Sequence, residues 1–367
     1  MEGSIDRQST VPLYHQLKEI LRNKIEKGEF SKGDLIPSER EICETYRVSR
    51  ITARQAILGL VNDGLLYREG GRGTFVTSKN KKKLTIALVA MGYSNESYRT
   101  RSNTFYDLVR GVAQTSLKKQ VTVNLLLPEA HIDSNSFLQR IIAQKLDGIL
   151  IKTRLNIQYQ DIRMLEEANL PYVVIKRHIP GRDINCVIPD DVKGAFEVTE
   201  HLISLGHRRI GLITGMPDAI IIWQDRMKGY RKALEEHKIP FDDKLVCEND
   251  NFLEGGGYQS MNRLLGLKRP PTAVFIAGDS MAIGAYKAIR RKGLKIPEDM
   301  AIVGYDDIEL ASTMLDPPLT TVRTSFFEFG KRSVELLLDI INEEHLTIRK
   351  VVIEPILVVR KSCGSKK

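Results

Sequence analysis

Apolar positions in the first part of the chain recur at helical spacing, and from Leu84 onward they gather into short runs separated by amphipathic stretches. Leu13, Leu17, Ile20, Leu21 and Ile25 fall on one face of a helix that Pro12 can open and Gly28 can close. In "SERE", Ser38 and Glu41 form a capping box, which predicts a short helix ending near Tyr46. The turn "YRVS" then leads to Ser49, a natural N-cap for a third helix on which Ala53, Ile57, Leu60 and Val61 share a face. Beyond it, "GLLYREGGRGTFV" sets apolar residues on both sides of a glycine-rich turn, the pattern of a β-hairpin. Ile57, Leu60 and Phe75 are expected in its core.

The second texture has another period. "LTIALVA", "VNLLL", "DGILI", "YVVI", "RIGLIT", "TAVFIA" and "MAIVGY" read as buried strands between helical stretches, the signature of a parallel α/β architecture. So many strands exceed a comfortable single sheet, and the polar stretch "RDINCVIPDD" falls midway, so two similar sheets are expected. The chain therefore divides into an N-terminal module over 1–76, a basic linker "TSKNKKK" over 77–83, and a two-lobed α/β module over 84–367.

Composition narrows the chemistry. The 367 residues suffice for two or three domains with sizeable cores. The net charge is +9, and residues 1–83 hold 16 Lys and Arg against 11 Asp and Glu, so the positive charge is densest at the N-terminal end and an anionic partner is expected there. Cys43, Cys186, Cys247 and Cys363 stand far apart without a C-x-x-C pair, which suggests neither a zinc site nor a disulfide framework and fits a reducing cytoplasm. The polar start and the lack of an apolar run near 20 residues predict no signal peptide and no membrane anchor.

A short helix, a tight turn and a second helix with Arg50, Thr52, Arg54 and Gln55 near its beginning is what major-groove reading requires: Arg and Gln pair bidentately with base edges, while Ser, Thr and backbone N–H groups hold phosphates. A three-helix bundle with a charged face fits the same pattern. The hairpin decides against a nucleotide loop, because Gly71-Arg72-Gly73-Thr74-Phe75-Val76 has valine where a dinucleotide fingerprint needs its last glycine, and no Walker G-K-[S/T] is present. A hairpin tip of low bulk carrying arginine can approach the DNA backbone or minor groove.

Residues 11–76, with P-S-E-R-E, V-S-R-x-T-x-R, L-x-x-x-G-L and G-x-G-T-F-V in that order, closely resemble the GntR-type winged helix-turn-helix. By that resemblance Arg40, Arg50 and Arg54 match DNA-contacting arginines, Gly70, Gly71 and Arg72 match the wing tip, and Ser49, Thr52 and Gln55 are neighbours on the same surface. Residues 84–362 are similar to the LacI-type regulatory domain, which has the fold of periplasmic sugar-binding proteins; "PTAVFIAGDSMAIGAYKAIRRKGLKIPEDMAIVGYDDIELASTMLDPPLTTVR" is the most specific stretch. Agreement is weaker before residue 145, where the loop "MGYSNESYRTRSNTF" is longer than usual.

Ligands of open parallel sheets sit beyond the carboxyl ends of strands, where Asp279 follows "AVFIA" and Asp306 follows "AIVGY". Each carboxylate can accept two hydroxyl hydrogen bonds, and Arg226 can offer a forked pair of donors to sugar oxygens. The family's effector contacts add Asp190, Lys152, His178 and Phe252, the last as a stacking face; Asp307 reads as structural. Catalytic and metal sites find no support: H-E-x-x-H and G-x-S-x-G are absent, and "EGGGYQSMNRLL" lacks the lysine and the preceding buried strand of a phosphate loop. No cofactor is implied.

The pairing of the two modules is similar to the L-arabinose-responsive repressors of Gram-positive bacteria. The resemblance implies a cytoplasmic, homodimeric repressor of carbohydrate-utilisation genes that binds a double-stranded operator and a small sugar, a pentose such as L-arabinose or another monosaccharide. The sign of the response is not in the sequence, so inducer, corepressor and activator readings stay open. The competing class, a cytoplasmic sugar-binding or sugar-processing protein without a regulatory role, leaves residues 1–76 without a purpose.

Overall fold

The computed structural model describes residues 5–7, 9, 11–77, 84–91, 104–127, 133–153, 156–216, 220–342 and 348–365. The chain forms two compact units, Met1–Leu84 and Thr85–Lys367. Most of the expected linker (78–83) and of the long loop at 91–105 (92–103) lies outside the described residues.

The first unit packs helices α1 (Leu13–Glu26), α2 (Glu39–Tyr46) and α3 (Arg50–Asn62) against the hairpin β1 (Leu66–Glu69) and β2 (Gly73–Val76). Its local signals are the expected ones. Ser38 Oγ accepts from the Glu41 backbone N–H at 3.3 Å while the Glu41 carboxylate accepts from the Ser38 N–H at 2.7 Å, and these bonds to Ser38 hold Glu41 below the ordinary carboxylate range. Ser49 caps α3 by accepting from the Thr52 N–H at 3.1 Å. Leu17, Leu21, Ile36, Ile42, Ala53, Ala56, Ile57, Leu60, Leu66 and Val76 make one core. Asp34–Ile36 runs along β2, with Ile36 N donating to Thr74 O and Val76 N to Asp34 O, so the hairpin has a third flanking segment. One expectation fails here: Phe75 is only half-buried, because it pairs across the hairpin with Tyr67 and stacks on it at 5.6 Å, while its neighbour Val76 takes the core face.

The second unit holds two parallel sheets. The first has six strands: β3 (Thr85–Met91), β4 (Thr122–Leu126), β5 (Gly148–Thr153), β6 (Tyr172–Ile175), β7 (Cys186–Pro189) and, from the far end of the chain, β13 (Lys350–Ile353), in the order β13-β7-β6-β5-β3-β4. The second has four, β8 (Ile210–Gly215), β9 (Val246–Asn249), β10 (Ala273–Ile276) and β11 (Ala301–Val303), in the order β11-β10-β8-β9. A small antiparallel pair joins β12 (Thr321–Arg323) to β14 (Ile356–Val358). The two lobes are thus unequal rather than similar. "CVIP" is a strand of the first sheet, so the chain first crosses between lobes at 189–191; it crosses again at 323–326 and 353–356. The buried strand β9 does precede "EGGGYQSMNRLL", contrary to the sequence reading, which missed the apolar pair Val246-Cys247 because only those two residues of it are buried.

Helices flank both sheets: α4 (Thr104–Lys118), α5 (Ser134–Ile142), α6 (Tyr159–Glu167), α7 (Asp191–Ser204), α8 (Ile221–Glu236), α9 (Glu254–Leu265), α10 (Asp279–Arg291), α11 (Glu309–Met314) and α12 (Phe326–Asn342). Helix α12 begins at the second crossing and packs on α4 through Gly111 and Gly330. A Cβ on Gly330 would lie 2.3 Å from the Leu108 carbonyl oxygen, and one on Gly111 2.2 Å from that of Phe327. Backbone cannot yield as a side-chain tip can, so this close approach sets where the start of α12 lies. In a free helix Gly→Ala would gain about 1 kcal/mol. Gly330→Ala should instead destabilise the unit by about 1–3 kcal/mol through overpacking, read from urea unfolding, while Gly266→Ala, whose Cβ would meet nothing closer than 3.4 Å, should change little. A Gly330→Ala variant as stable as the parent would contradict the close packing.

Candidate functional site

The first unit presents one polar face. Arg40, Arg50, Arg54, Gln55 and Arg72 are all exposed, along with Ser49, Gly70 and Gly71, whereas Thr52 is half-buried because its Oγ1 lies 2.8 Å from Ser49 Oγ. The hydroxyls of Ser49 and Thr52 therefore order the first turn of α3, whose free N–H groups favour anions. Glu39 receives Arg54 Nη2 at 3.4 Å and Arg68 Nη2 at 3.1 Å, and Arg72 reaches Glu69 at 2.7 Å. Such exposed pairs are worth about 0–1 kcal/mol, so exchanging a carboxylate for a phosphate costs these arginines little. Gly71, with φ +75, allows the tight hairpin tip on which Arg72 stands. Glu39 and Arg68 escaped the sequence reading because nothing in their local pattern marks a pairing across 29 residues.

The second site lies between the lobes of the other unit, where carboxyl ends of strands from both sheets meet. Its centre is Arg226, a fully buried side chain on the first turns of α8. Its Nε donates to Asp191 at 2.8 Å, Nη1 to the carbonyl of Ala277, and Nη2 to Asp306 at 3.3 Å; the guanidinium lies 3.7 Å above the Tyr305 ring and 5.3 Å from the Trp223 ring. Asp306 Oδ1 is shared with Lys176 Nζ at 3.5 Å and Thr324 Oγ1 at 3.5 Å. Burial opposes its charge, but Arg226 and Lys176 prevail and hold Asp306 below the ordinary carboxylate range. Lys176 is driven down to about 8, chiefly by burial and against the pull of Asp306, and it lies 4.0 Å from the centroid of Phe326 on α12. Lys152, at the end of β5, is pushed well below its ordinary value by burial and by Arg177.

The backbone around this cluster is unusual. Lys176, Asp306 and Asp307 all have positive φ, at 58°, 108° and 54°, and such positions cost on the order of 1–3 kcal/mol each where no glycine relieves them. Asp306 is locked by its N–H to Val322 O at 2.8 Å, and Asp307 by Arg323 at 2.7 Å and Arg360 at 2.7 Å. A cleft of about 220 Å³ opens beside Asp306 and draws Asp107 and Arg110 from one lobe, Asp307 and Arg323 from the other.

Of the expected contacts, Arg226 and Asp306 pair and Lys152 lies near enough to feel the Asp306 charge, while of the three it is Asp306 that lines the cleft. Arg226 spends its forked donors on protein acceptors. Asp279 is 1 % exposed and accepts from Thr321 Oγ1 at 2.9 Å and the Ile308 N–H at 3.0 Å; burial raises it well above the carboxylate range, and it ties the start of α10 to β12 without lining the cleft beside Asp306. Asp190 caps α7 by accepting from the Lys193 N–H at 2.9 Å, and it is Asp191 that turns inward to Arg226. His178 Nε2 meets Asp225 at 2.8 Å, and Phe252 packs on Trp223 at 5.5 Å, one ring removed from Arg226. Lys176, Asp191 and Tyr305 were not among the expected contacts: Asp191 and Tyr305 adjoin Asp190 and Asp306, Lys176 stands two residues before His178 at the end of β6, and a doubled "DD" does not say which carboxylate caps and which pairs.

Residues 13–76 match the family of bacterial regulatory proteins of the gntR type, and 199–363 match the periplasmic binding protein-like domain. The chain is 31 % identical over 372 residues to an arabinose metabolism transcriptional repressor of Geobacillus stearothermophilus, covering 97 % of this chain and 99 % of the relative. It is 36 % identical over 273 residues to a ribose operon repressor of Haemophilus influenzae, covering 73 % and 80 %. Among solved structures it is similar to a transcriptional regulator CelR–cellobiose complex, at a TM-score of 0.68 and 29 % identity over 86 % of this chain and 92 % of that one. A LacI family regulator from Enterococcus faecium with bound ribose aligns at a TM-score of 0.63 and 28 % identity, covering 76 % and 98 %.

Two outcomes follow from the buried charges. Arg226→Met would leave two carboxylates without their guanidinium, and should cost about 3–5 kcal/mol of sensor stability in urea unfolding; an unchanged midpoint would show that Arg226 is not the centre. Lys176 has a folded-state pKa of about 8 against an ordinary 10.5. Between those values the unfolded chain holds the extra proton, so this group makes stability rise with pH there. The wild-type advantage over Lys176→Met should therefore grow from pH 8 to pH 10.5, and a flat or shrinking difference would contradict the burial of its charge.

Proposed function

This chain belongs to the GntR family of bacterial regulatory proteins, in the form whose reader is joined to a periplasmic-binding-protein-like sensor, and on that premise we propose that it represses carbohydrate-utilisation genes and leaves its operator when a small sugar binds between the sensor lobes. What supports the reading most is one chain combining an arginine-bearing recognition helix with a buried Arg226–Asp306–Lys176 knot at the crossings between lobes. Two similar solved structures are named with bound cellobiose and bound ribose, and two relatives are named for arabinose metabolism and a ribose operon, which supports a small sugar as ligand; a pentose such as L-arabinose or another monosaccharide is the proposed effector. No catalytic step is assigned.

The protein acts in the cytoplasm as a homodimer on a pseudo-palindromic operator. Two α3 helices enter successive major grooves about 34 Å apart, with Arg54 and Gln55 reading bases, Arg40 and Arg50 holding phosphates, and the wing tip of Gly70, Gly71 and Arg72 at the minor groove. Sugar hydroxyls take over hydrogen bonds around Asp306 and Lys152, and closure of the lobes follows only if the closed state binds the sugar better. A coupling on the order of 1–3 kcal/mol between sugar and operator is typical of such proteins.

Mobility shift with DNA upstream of the protein's own locus, repeated across salt, tests the reading. The binding constant should fall by nearly one decade per decade of salt for each phosphate contact, and sugar should release the duplex. No retardation at low salt, or retardation indifferent to salt, would sink it. Arg54→Ala should cost about 1–3 kcal/mol and relax preference at one base position; a uniform loss across sequences would make Arg54 a phosphate contact. In a thermal screen of sugars, the effector at 100 times its Kd should add about 2.7 kcal/mol of stability.

A further inference from the structure

The recognition helix carries an aliphatic side chain that the fold does not use. Ala53, Ala56, Ile57 and Leu60 of α3 are at most 1 % exposed and form its core face, whereas Ile51 is 71 % exposed in the first turn. At about 100° per residue, Ile51 and Gln55 lie within roughly 40° of each other and nearly opposite that core face. Leu58, the other exposed aliphatic side chain of the helix, lies two turns further on, away from the capped end. A β-branched residue in an exposed helical position is a weaker helix former than the straight-chain residues that usually fill such places. Local stability therefore gives no reason for isoleucine here.

We infer that Ile51 reads the 5-methyl group of an operator thymine, on the same outward stripe from which Gln55 reads an adenine. This rests on the repressor reading above and specifies it. In the major groove thymine alone presents a methyl, and Gln pairs with adenine N6 and N7. Cβ atoms four residues apart on a helix are about 5–6 Å from each other, and base pairs rise about 3.4 Å, so the two side chains address bases one or two steps apart. The orientation is fixed from below: Ser49 caps the turn that holds Ile51, and Glu39 ties down Arg54 at 3.4 Å. Ile51 and Gln55 together make the operator half-site rich in A·T pairs at these steps.

The test uses the full-length protein and a duplex selected by it from random sequences, in which each thymine is then replaced in turn by uracil. That replacement removes the methyl and leaves every hydrogen-bonding group. At one thymine per half-site, uracil should weaken wild-type binding about fourfold, the value of one buried methyl, and Ile51→Ala should weaken the thymine duplex while being indifferent to uracil there. Ile51→Val should keep a smaller methyl dependence, and circular dichroism should show all three proteins equally folded, since Ile51 packs on no core. Uracil sensitivity identical in wild type and Ile51→Ala at every position, or none at all, overturns the inference while leaving the repressor reading standing. Failure of the wild type to enrich or retard any duplex overturns both.

Discussion

A guanidinium with no exposure to solvent is the constraint around which the sensor is organised. Burying Arg226 is tolerable only because Asp191, the Ala277 carbonyl and Asp306 accept hydrogen bonds from it and Tyr305 lies against its face. Those four groups come from the first crossing, the end of β10 and the turn after β11, so one side chain ties the crossing after β7 to two strand ends of the second lobe. Asp306 passes the constraint on: its shared oxygen reaches Lys176 at the end of β6, in the other lobe. The interlobe site is therefore a set of charges that cannot move independently. A ligand that takes one hydrogen bond from Asp306 alters the balance felt by both Arg226 and Lys176, which is how a small molecule can bias the arrangement of two lobes.

The reader follows the opposite electrostatic logic. Arg40, Arg54, Arg68 and Arg72 are exposed and paired with exchangeable carboxylates, Glu39, Glu44 and Glu69, at 3.1–3.5 Å or, for Arg72, 2.7 Å. Weak pairs of this kind orient a side chain in the free protein without opposing its transfer to phosphate. Order at the recognition helix comes instead from neutral hydrogen bonds at Ser49 and from a small, closely packed alanine face, Ala53 and Ala56. The sensor site thus keeps its charges buried and mutually committed, and the arginines near the recognition helix and wing keep theirs in water and free to exchange.

Periodic and capping signals made most of the fold legible. The Ser38–Glu41 box, the Ser49 cap, the helical stripe of α1 and the apolar strand runs depend on residues close in sequence, and each stands where it was expected. What the sequence hid depends on alternation and on distant pairing. Phe75 and Val76 differ by one residue, and hence by a face of the hairpin; "VCEN" has too few buried positions to announce itself; and the strand "CVIP" lay within a stretch read as polar. At the sensor site, Arg226 and Asp306 were legible as charges at helix and strand ends. Lys176 was not, because its partner is 130 residues away, and the hydrogen bond of Asp279 with Thr321 across 42 residues could not be read locally either.

Coupling between the two halves is the claim on which the functional account depends, and linkage makes it measurable without knowing the path. If sugar and operator act on one equilibrium, each must change the other's affinity by the same factor, typically 5- to 150-fold. Isothermal titration of the sugar that most stabilises the protein, carried out with and without saturating operator duplex, measures that factor directly. The account predicts that the duplex weakens sugar binding by the factor through which the sugar weakens duplex binding. A sugar affinity unchanged by the operator would contradict it, leaving a sugar-binding domain and a DNA-binding domain that share a chain and nothing more.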